Sequence, residues 1–322
     1  RQLPPTVFLK NKNYDEELNP KAEKDRLASY KVLSTSLFER IYDLIKDKQD
    51  YCVFLKMQYR MNPAIIPFLN NTIYRDNNLE SHTSTAKNII KGVFGSPLVF
   101  INHSASEDKA FVSEEFSPSK IEYRNTEEIK IIKKIVEKFK KSGMDTNDIG
   151  VISPYDAQVR ELNRVLESEG IIAKTVDSFQ GQEKKVILLS LVRSNNALDA
   201  SGKSKHPTSR LGFLVDERRF NVSITRFKSK LIITGNAETL SLSNRNNQEY
   251  YDVYDEKIKQ IYYKALIDEI RSNGKYLDES ELNDFLSKEM KLDATANENT
   301  VEQYNKQFTE SLIKKVYASL VN

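Results

Sequence analysis

The chain has 322 residues, a formal net charge of +3, and 49 basic against 46 acidic side chains. That length accommodates two domains with separate cores, and the near-cancelled charge neither demands nor forbids nucleic acid, since a local basic groove can sit on a near-neutral protein. A single cysteine excludes an intramolecular disulfide framework and, with only three histidines, argues against a zinc site.

No apolar run approaches the roughly 20 residues of a membrane-spanning helix, and RQLPPTVFLK lacks the shape of a signal peptide. A reducing, intracellular setting is therefore expected, with nucleus and cytoplasm both open and no membrane partner. Trp is absent, but 16 Tyr and 15 Phe make stacking surfaces available.

In chain order, residues 1–7 form a Pro-Pro loop and residues 11–30 read as an exposed polar insertion. Residues 34–45 are expected as an amphipathic helix with Leu37, Ile41, Leu44 and Ile45 on one stripe. Cys52–Leu55 reads as a short strand. Asn62-Pro63 then opens a helix, Asn as the N-cap and Pro at the first helical position. Residues 75–95 look like a crossover.

From Leu98 onward strands and helices alternate. Strands are expected at 98–102, 149–153, 173–176, 186–192 and 230–235, and helices at 126–142 and 157–169. This alternation predicts a parallel sheet flanked by helices, with sites at the carboxyl ends of the strands. Residues 195–210 are a polar insertion. From about 245 the chain turns helical and charged; Asp278 with Glu281, and Thr300 with Gln303, mark two further helix starts.

Four polar clusters lie against these elements: Arg1–Val7, Gln58–Met61, Thr175–Glu183 and Arg218–Arg226. The third sets Asp177, Gln180 and Glu183 directly before the apolar run Val186–Val192. Burying three large polar groups unpaired would cost on the order of 1–3 kcal/mol each, so they are either solvated around a turn at Gly181 or functional. Arg218, Arg219 and Arg226 have two readings as well. Guanidinium groups suit phosphate oxygens and developing charge, whereas the bland reading pairs them with Asp216 and Glu217 on a helix surface.

In order, QLPPTV, QYRMNP, IGVISPY, TVDSFQGQE followed by VRSN, and GFLVDERRFNVSITR resemble the motif series of superfamily 1B helicases. The similar branch contains senataxin and the helicase of nonsense-mediated decay. The resemblance covers roughly residues 1–240. It implies an α/β fold in which a RecA-like parallel sheet flanked by helices forms the second helicase lobe. The tail of the first lobe and a C-terminal helical extension complete the chain, with divisions at 1–92, 93–242 and 243–322.

Carried over by motif, Gln2 resembles the γ-phosphate sensor, Arg60 an arginine that contacts the γ-phosphate, and Tyr59 the aromatic beside the nucleotide base. Glu183 resembles the acid that binds the ribose hydroxyls, and Arg226 the finger arginine. Pro154, Tyr155, Thr175, Val176, Asp177 and Gln180 match positions along a single-stranded RNA or DNA backbone, and Arg193 the layer coupling that track to ATP. Phe220 and Phe227 depart from the family pattern beside Arg226.

No G-x-x-x-x-G-K-[ST] loop occurs, and Gly202-Lys203-Ser204 is a decoy, lacking the first Gly and a strand-to-helix setting. No acidic pair precedes Gln2. The expectation is thus the C-terminal part of an ATP-dependent, 5′→3′ helicase, with the ligands for Mg²⁺ in the missing N-terminal lobe and no ATP hydrolysis by this part alone. A protein partner is conceivable at the helical extension. The alternative is a degenerate lobe that binds nucleic acid or protein without ATP chemistry.

Overall fold

The computed structural model describes residues 37–46, 48, 51, 53–75, 78–90, 94–103, 115–117, 122–195, 211–241 and 262–287. Gln2, the Pro-Pro loop, the insertion at 11–30, Cys52, Gly202–Ser204 and the Thr300 helix start lie outside them. The chain divides into two compact units.

In the first unit, helix α1 spans Leu37–Ile45, as its apolar spacing predicts. Residues 53–55 do not form the expected strand; Val53 and Leu55 are exposed. A strand needs a neighbour to complete its hydrogen bonds.

In the second unit such a neighbour exists for Met57–Gln58 (β1), which pairs in parallel with Glu80–Ser81 (β2). Between them, Asn62 caps a 3₁₀ turn, Pro63–Ile65, by accepting from the Ala64 N–H. The turn runs into α2, Ile66–Thr72. Phe68 of α2 meets Phe220 edge-on at 6.1 Å, so this region packs within the second unit, which takes in Lys56 onward.

The main sheet is parallel throughout. Its strands are β3 (Leu98–Asn102), β6 (Ile149–Ser153), β7 (Ala173–Thr175), β8 (Lys184–Ser190), β9 (Phe227–Gly235) and β10 (Lys275–Leu277), ordered β10-β3-β9-β8-β6-β7. A separate antiparallel pair joins β4 (Glu115–Ser117) to β5 (Glu122–Arg124). The central stretches Val186–Leu189 of β8 and Leu231–Ile233 of β9 are continuous apolar runs because both sheet faces are covered. Val99, Ile101, Val186, Leu188 and Ile232 share one core cluster with Ile132, Ile135 and Phe139 of α3 (Thr126–Lys141) and Leu162 and Leu166 of α4 (Asp156–Leu166). The intervening Phe100, Ile187, Leu189 and Ile233 are also buried, as the two-residue period of a strand requires.

Short helices α5 (Glu217–Ile224) and α6 (Ala237–Leu240) flank β9. Beyond the expected boundary at 242, helix α7 (Tyr262–Asn273) is followed by β10 and by α8 (Glu279–Ser287). The extension is therefore not helical alone: β10 pairs with β3 and lengthens the sheet by one strand. Its edge position suits a short strand with one exposed side. Asp278 and Glu281 exchange capping hydrogen bonds, each N–H donating to the other's carboxylate at 3.0 and 2.9 Å. Among the described residues, no helix is long and apolar enough to cross a membrane.

Candidate functional site

The loop after β1 carries Tyr59 and Arg60, and Gln58 shapes it. The Gln58 side-chain Oε1 accepts from the Arg60 and Met61 N–H groups, while its Nε2 donates to Met61 O and Ser81 Oγ. With its backbone fixed, Arg60 reaches Glu183: Nε donates to Oε2 at 2.6 Å. Lys228 of β9 holds the other oxygen at 2.7 Å. Glu183 sits one residue before β8, and Lys228 follows the Phe227 that pairs with Lys184, so sheet register sets the lysine beside the carboxylate. The Lys228 hydrogen bond first, and the Arg60 hydrogen bond second, hold the Glu183 carboxyl below its ordinary range.

Arg226 stands at the junction of α5 and β9. Its Nε donates to Val222 O at 3.1 Å and its Nη2 to Thr225 Oγ1 at 3.2 Å, while Arg60 Nη1 approaches Thr225 O at 3.4 Å. The two arginines thus meet around one threonine. Burial, and then the Arg60 charge, push the Arg226 guanidinium down from its ordinary value. The cluster Arg60, Glu183, Arg226 and Lys228 offers three cationic donors around one carboxylate, a set suited to phosphate oxygens. Tyr59, the next residue to Arg60, is 66 % exposed, and its ring stacks on His82.

A second group forms at the ends of β6 and β7. Thr175 Oγ1 caps the turn by accepting from Ser178 N at 3.2 Å, and Gln180 is exposed. Asp177 is paired: Arg219 donates Nε to Oδ1 at 3.2 Å and Nη2 to Oδ2 at 3.1 Å. A pocket is lined by Pro154, Val176, Phe213, Arg219 and Tyr263 among others. Val176 and Tyr155 are buried, and the Tyr155 hydroxyl donates to Leu211 O at 3.2 Å. Their side chains serve the framework; the exposed ring here is Phe213, whose centroid lies 5.8 Å from that of Tyr155. Gly212 allows this approach, since a Cβ there would lie 2.7 Å from the Tyr155 hydroxyl and the Arg193 guanidinium.

At the carboxyl ends of β8 and β9, the opposite end of these strands from Glu183 and Lys228, lies a buried polar hub that the sequence did not reveal. Glu128 on α3 is fully buried; its oxygens accept from Ser190 Oγ at 2.5 Å, Thr234 Oγ1 at 3.2 Å and the Val192 N–H at 2.9 and 3.0 Å. His103 Nε2 completes the shell at 3.0 Å. Asn125, the α3 N-cap, donates to Val192 O. Together they hold Val192 at φ +69°, a conformation costly for a β-branched residue. Arg193 follows directly and lies over the Tyr123 ring at 4.2 Å. A glutamate three residues into a helix looks like an N-terminal capping acid, so its strand-end contacts carried no sequence signal. Lys228, His82 and the Arg219–Asp177 pair also emerge only from the fold.

Phe220 and Phe227 both have packing roles. Phe220 stacks on Tyr262 at 5.5 Å and meets Tyr263 edge-on at 4.7 Å; Phe227 is fully buried at the start of β9.

A parallel sheet covered on both faces, with arginines gathered around one strand-end carboxylate, defines a RecA-like α/β lobe. A family model described as an AAA domain matches residues 33–238, and the chain belongs to that family, within the superfamily 1B ATP-dependent helicases of the nonsense-mediated-decay and senataxin-like branch. It is 32 % identical over 286 residues to the DNA polymerase alpha-associated DNA helicase A of Saccharomyces cerevisiae, covering 83 % of this chain and 38 % of that protein. An uncharacterized ATP-dependent helicase of Methanocaldococcus jannaschii is 35 % identical over 80 % of this chain and 33 % of its own length. Regulator of nonsense transcripts 1 of Dictyostelium discoideum is 37 % identical over 65 % of this chain and 15 % of its own. The chain thus spans little more than a third of these relatives at most.

Proposed function

We propose that the chain is the C-terminal portion of an ATP-dependent translocase acting 5′→3′ on single-stranded RNA or DNA. On this reading residues 1–92 end the first lobe, 93–242 form the second, and 243–322 extend it and offer a surface for a protein partner. Arg226 is the arginine finger, Arg60 and Gln2 address the γ-phosphate, Glu183 the ribose hydroxyls and Tyr59 the base. Pro154, Thr175, Asp177 and Gln180 face the nucleic acid, with Tyr155 and Val176 supporting them from within.

The observation that supports this reading is the convergence of Arg60, from the loop after β1, and of Arg226 and Lys228, from the start of β9, on Glu183 and Thr225. The donor set fits a nucleotide: cations for the phosphates, a carboxylate for the ribose and an open ring for the base. When bound, ATP with Mg²⁺ would supply the transferable phosphoryl group and its charge neutralisation. On this reading the ligands for Mg²⁺ belong to the N-terminal lobe. The portion alone is then an inactive ATPase. This chain's contribution is positioning and electrostatic stabilisation, the main levers in phosphoryl transfer.

Single-strand-stimulated ATP hydrolysis by the full-length polypeptide, measured beside the isolated 322-residue portion, tests this. Turnover only in the full-length protein supports the reading. Nucleotide-independent strand binding with no turnover in either would favour the alternative of a binding module.

A further inference from the structure

His82 stacks against Tyr59 with ring centroids 4.6 Å apart and planes inclined by 30°. The contact follows from strand register. Met57 pairs with Glu80 and Gln58 with Ser81, so Tyr59 and His82 are the next residues of the two strands. The ladder continues one step further, because the His82 N–H donates to Gln58 O at 3.0 Å. Side chains at paired positions of adjacent strands project to the same face, which brings the two rings together.

The imidazole is itself held. Its Nδ1 accepts from the Ser84 N–H at 3.3 Å and lies 2.8 Å from Ser84 Oγ. These two contacts to Ser84 set the orientation of the imidazole in its own turn. The Ser81 side chain beside it is tied to Gln58, the residue that shapes the Tyr59–Arg60 loop. His82 is thus a rigid plate, fixed by its own turn, set against one face of a tyrosine that is otherwise largely exposed.

We infer that His82 is a positioning residue for the nucleotide base: it holds the Tyr59 ring so that its free face is presented as a flat stacking platform. This deepens the nucleotide reading of Tyr59 and rests on it. A tyrosine on a short loop samples several rotamers, and a base that stacks on it must first select one. A ring already clamped on its far side removes that ordering cost. The ligand class is a purine nucleotide, whose large π-face gains most from a pre-set aromatic plane.

The test uses the full-length polypeptide with a saturating single-stranded oligonucleotide. His82→Leu keeps bulk without an aromatic plane, and His82→Phe keeps the plane. His82→Leu is expected to raise the KM for ATP roughly 3- to 10-fold, the scale of one aromatic pair, with kcat within about twofold. His82→Phe should stay near wild type. Inorganic tripolyphosphate, which has no base, should inhibit both variants as well as it inhibits wild type. An unchanged KM in His82→Leu would overturn the inference, and so would an equal weakening of tripolyphosphate, which would mean a general loosening of the loop. Tyr59→Ala separates the two levels. If it too leaves KM unchanged, the nucleotide role of Tyr59 fails; if it raises KM while His82→Leu does not, only the role of His82 falls.

Discussion

Arg60 and Glu183 lie 123 positions apart in sequence and are joined by a 2.6 Å hydrogen bond from Nε to Oε2. The pair ties the loop after β1 to the residue that opens β8, and Lys228 completes it from β9. Both side chains are about 37 % exposed, so solvent screens the attraction, and the value of the contact is more in placement than in stability.

Glu183→Gln should therefore cost under about 1 kcal/mol at neutral pH. Because the folded carboxyl is held below its unfolded value of 4.5, its stabilisation is full above that value and is lost as pH falls through the lower folded value. Thermal melts of wild type and Glu183→Gln should differ at pH 7 and converge in strong acid. A constant difference across that range would show that the ion pair is not its source.

Arg226→Ala in the full-length polypeptide should lower kcat by about 10³-fold or more, in line with finger arginines, with single-strand affinity within a few-fold of wild type. The guanidinium is held by Val222 O and Thr225 Oγ1, so Arg226→Lys cannot reproduce both contacts and should recover little. Stopped-time phosphate release and fluorescence anisotropy with a labelled oligonucleotide report the two quantities separately.

The Glu128 carboxylate gathers four groups: Ser190 Oγ, Thr234 Oγ1, the Val192 N–H and His103 Nε2. Glu128→Ala would strand the Val192 N–H and the Ser190 hydroxyl in the interior and release a left-handed valine, at about 3–5 kcal/mol. Glu128→Gln keeps one acceptor oxygen and should cost less, about 1–3 kcal/mol. Urea titrations should rank them in that order. A near-neutral Glu128→Ala would remove the hub from any account of how Val192 and Arg193 are set.

Lys230 is buried in β9, with its ammonium donating to Ser96 O. Burial lowers its pKa from 10.5 to about 7. Between those values the unfolded chain binds more protons than the folded one, so stability should rise with pH from about 7 towards 10.5 and be flat below. Lys230→Met should raise the melting temperature at pH 7, by an amount on the order of 2–4 kcal/mol in stability, and remove this rise. An unaltered pH profile in Lys230→Met would mean another group titrates there.

Much of the framework was legible in the sequence. The strands at 98–102 and 149–153 and the helix from Thr126 were readable because a parallel sheet covered on both faces writes itself as short apolar runs between amphipathic helices. Local hydrogen bonds explain why Asn62 and the Asp278–Glu281 box could be read as caps. The expected strand at 52–55 is absent at 53–55, and β10 carried no signal within the C-terminal extension, since strand formation depends on a partner that only the fold supplies. Met57–Gln58 finds Glu80–Ser81, and Lys275–Leu277 finds β3.

The sequence by itself determined the alternating α/β pattern and the motif order that mark the helicase family. It also supplied the arginines and carboxylates available for chemistry. Only the tertiary structure decided which of them meet: Arg60 with Glu183, Arg219 with Asp177, His82 with Tyr59 and Glu128 with Val192. Periodicity and capping act between residues a few positions apart, whereas these pairings span from 23 to 123 positions. They are set by strand order and register, which emerge only when the sheet closes its hydrogen bonds and buries both faces.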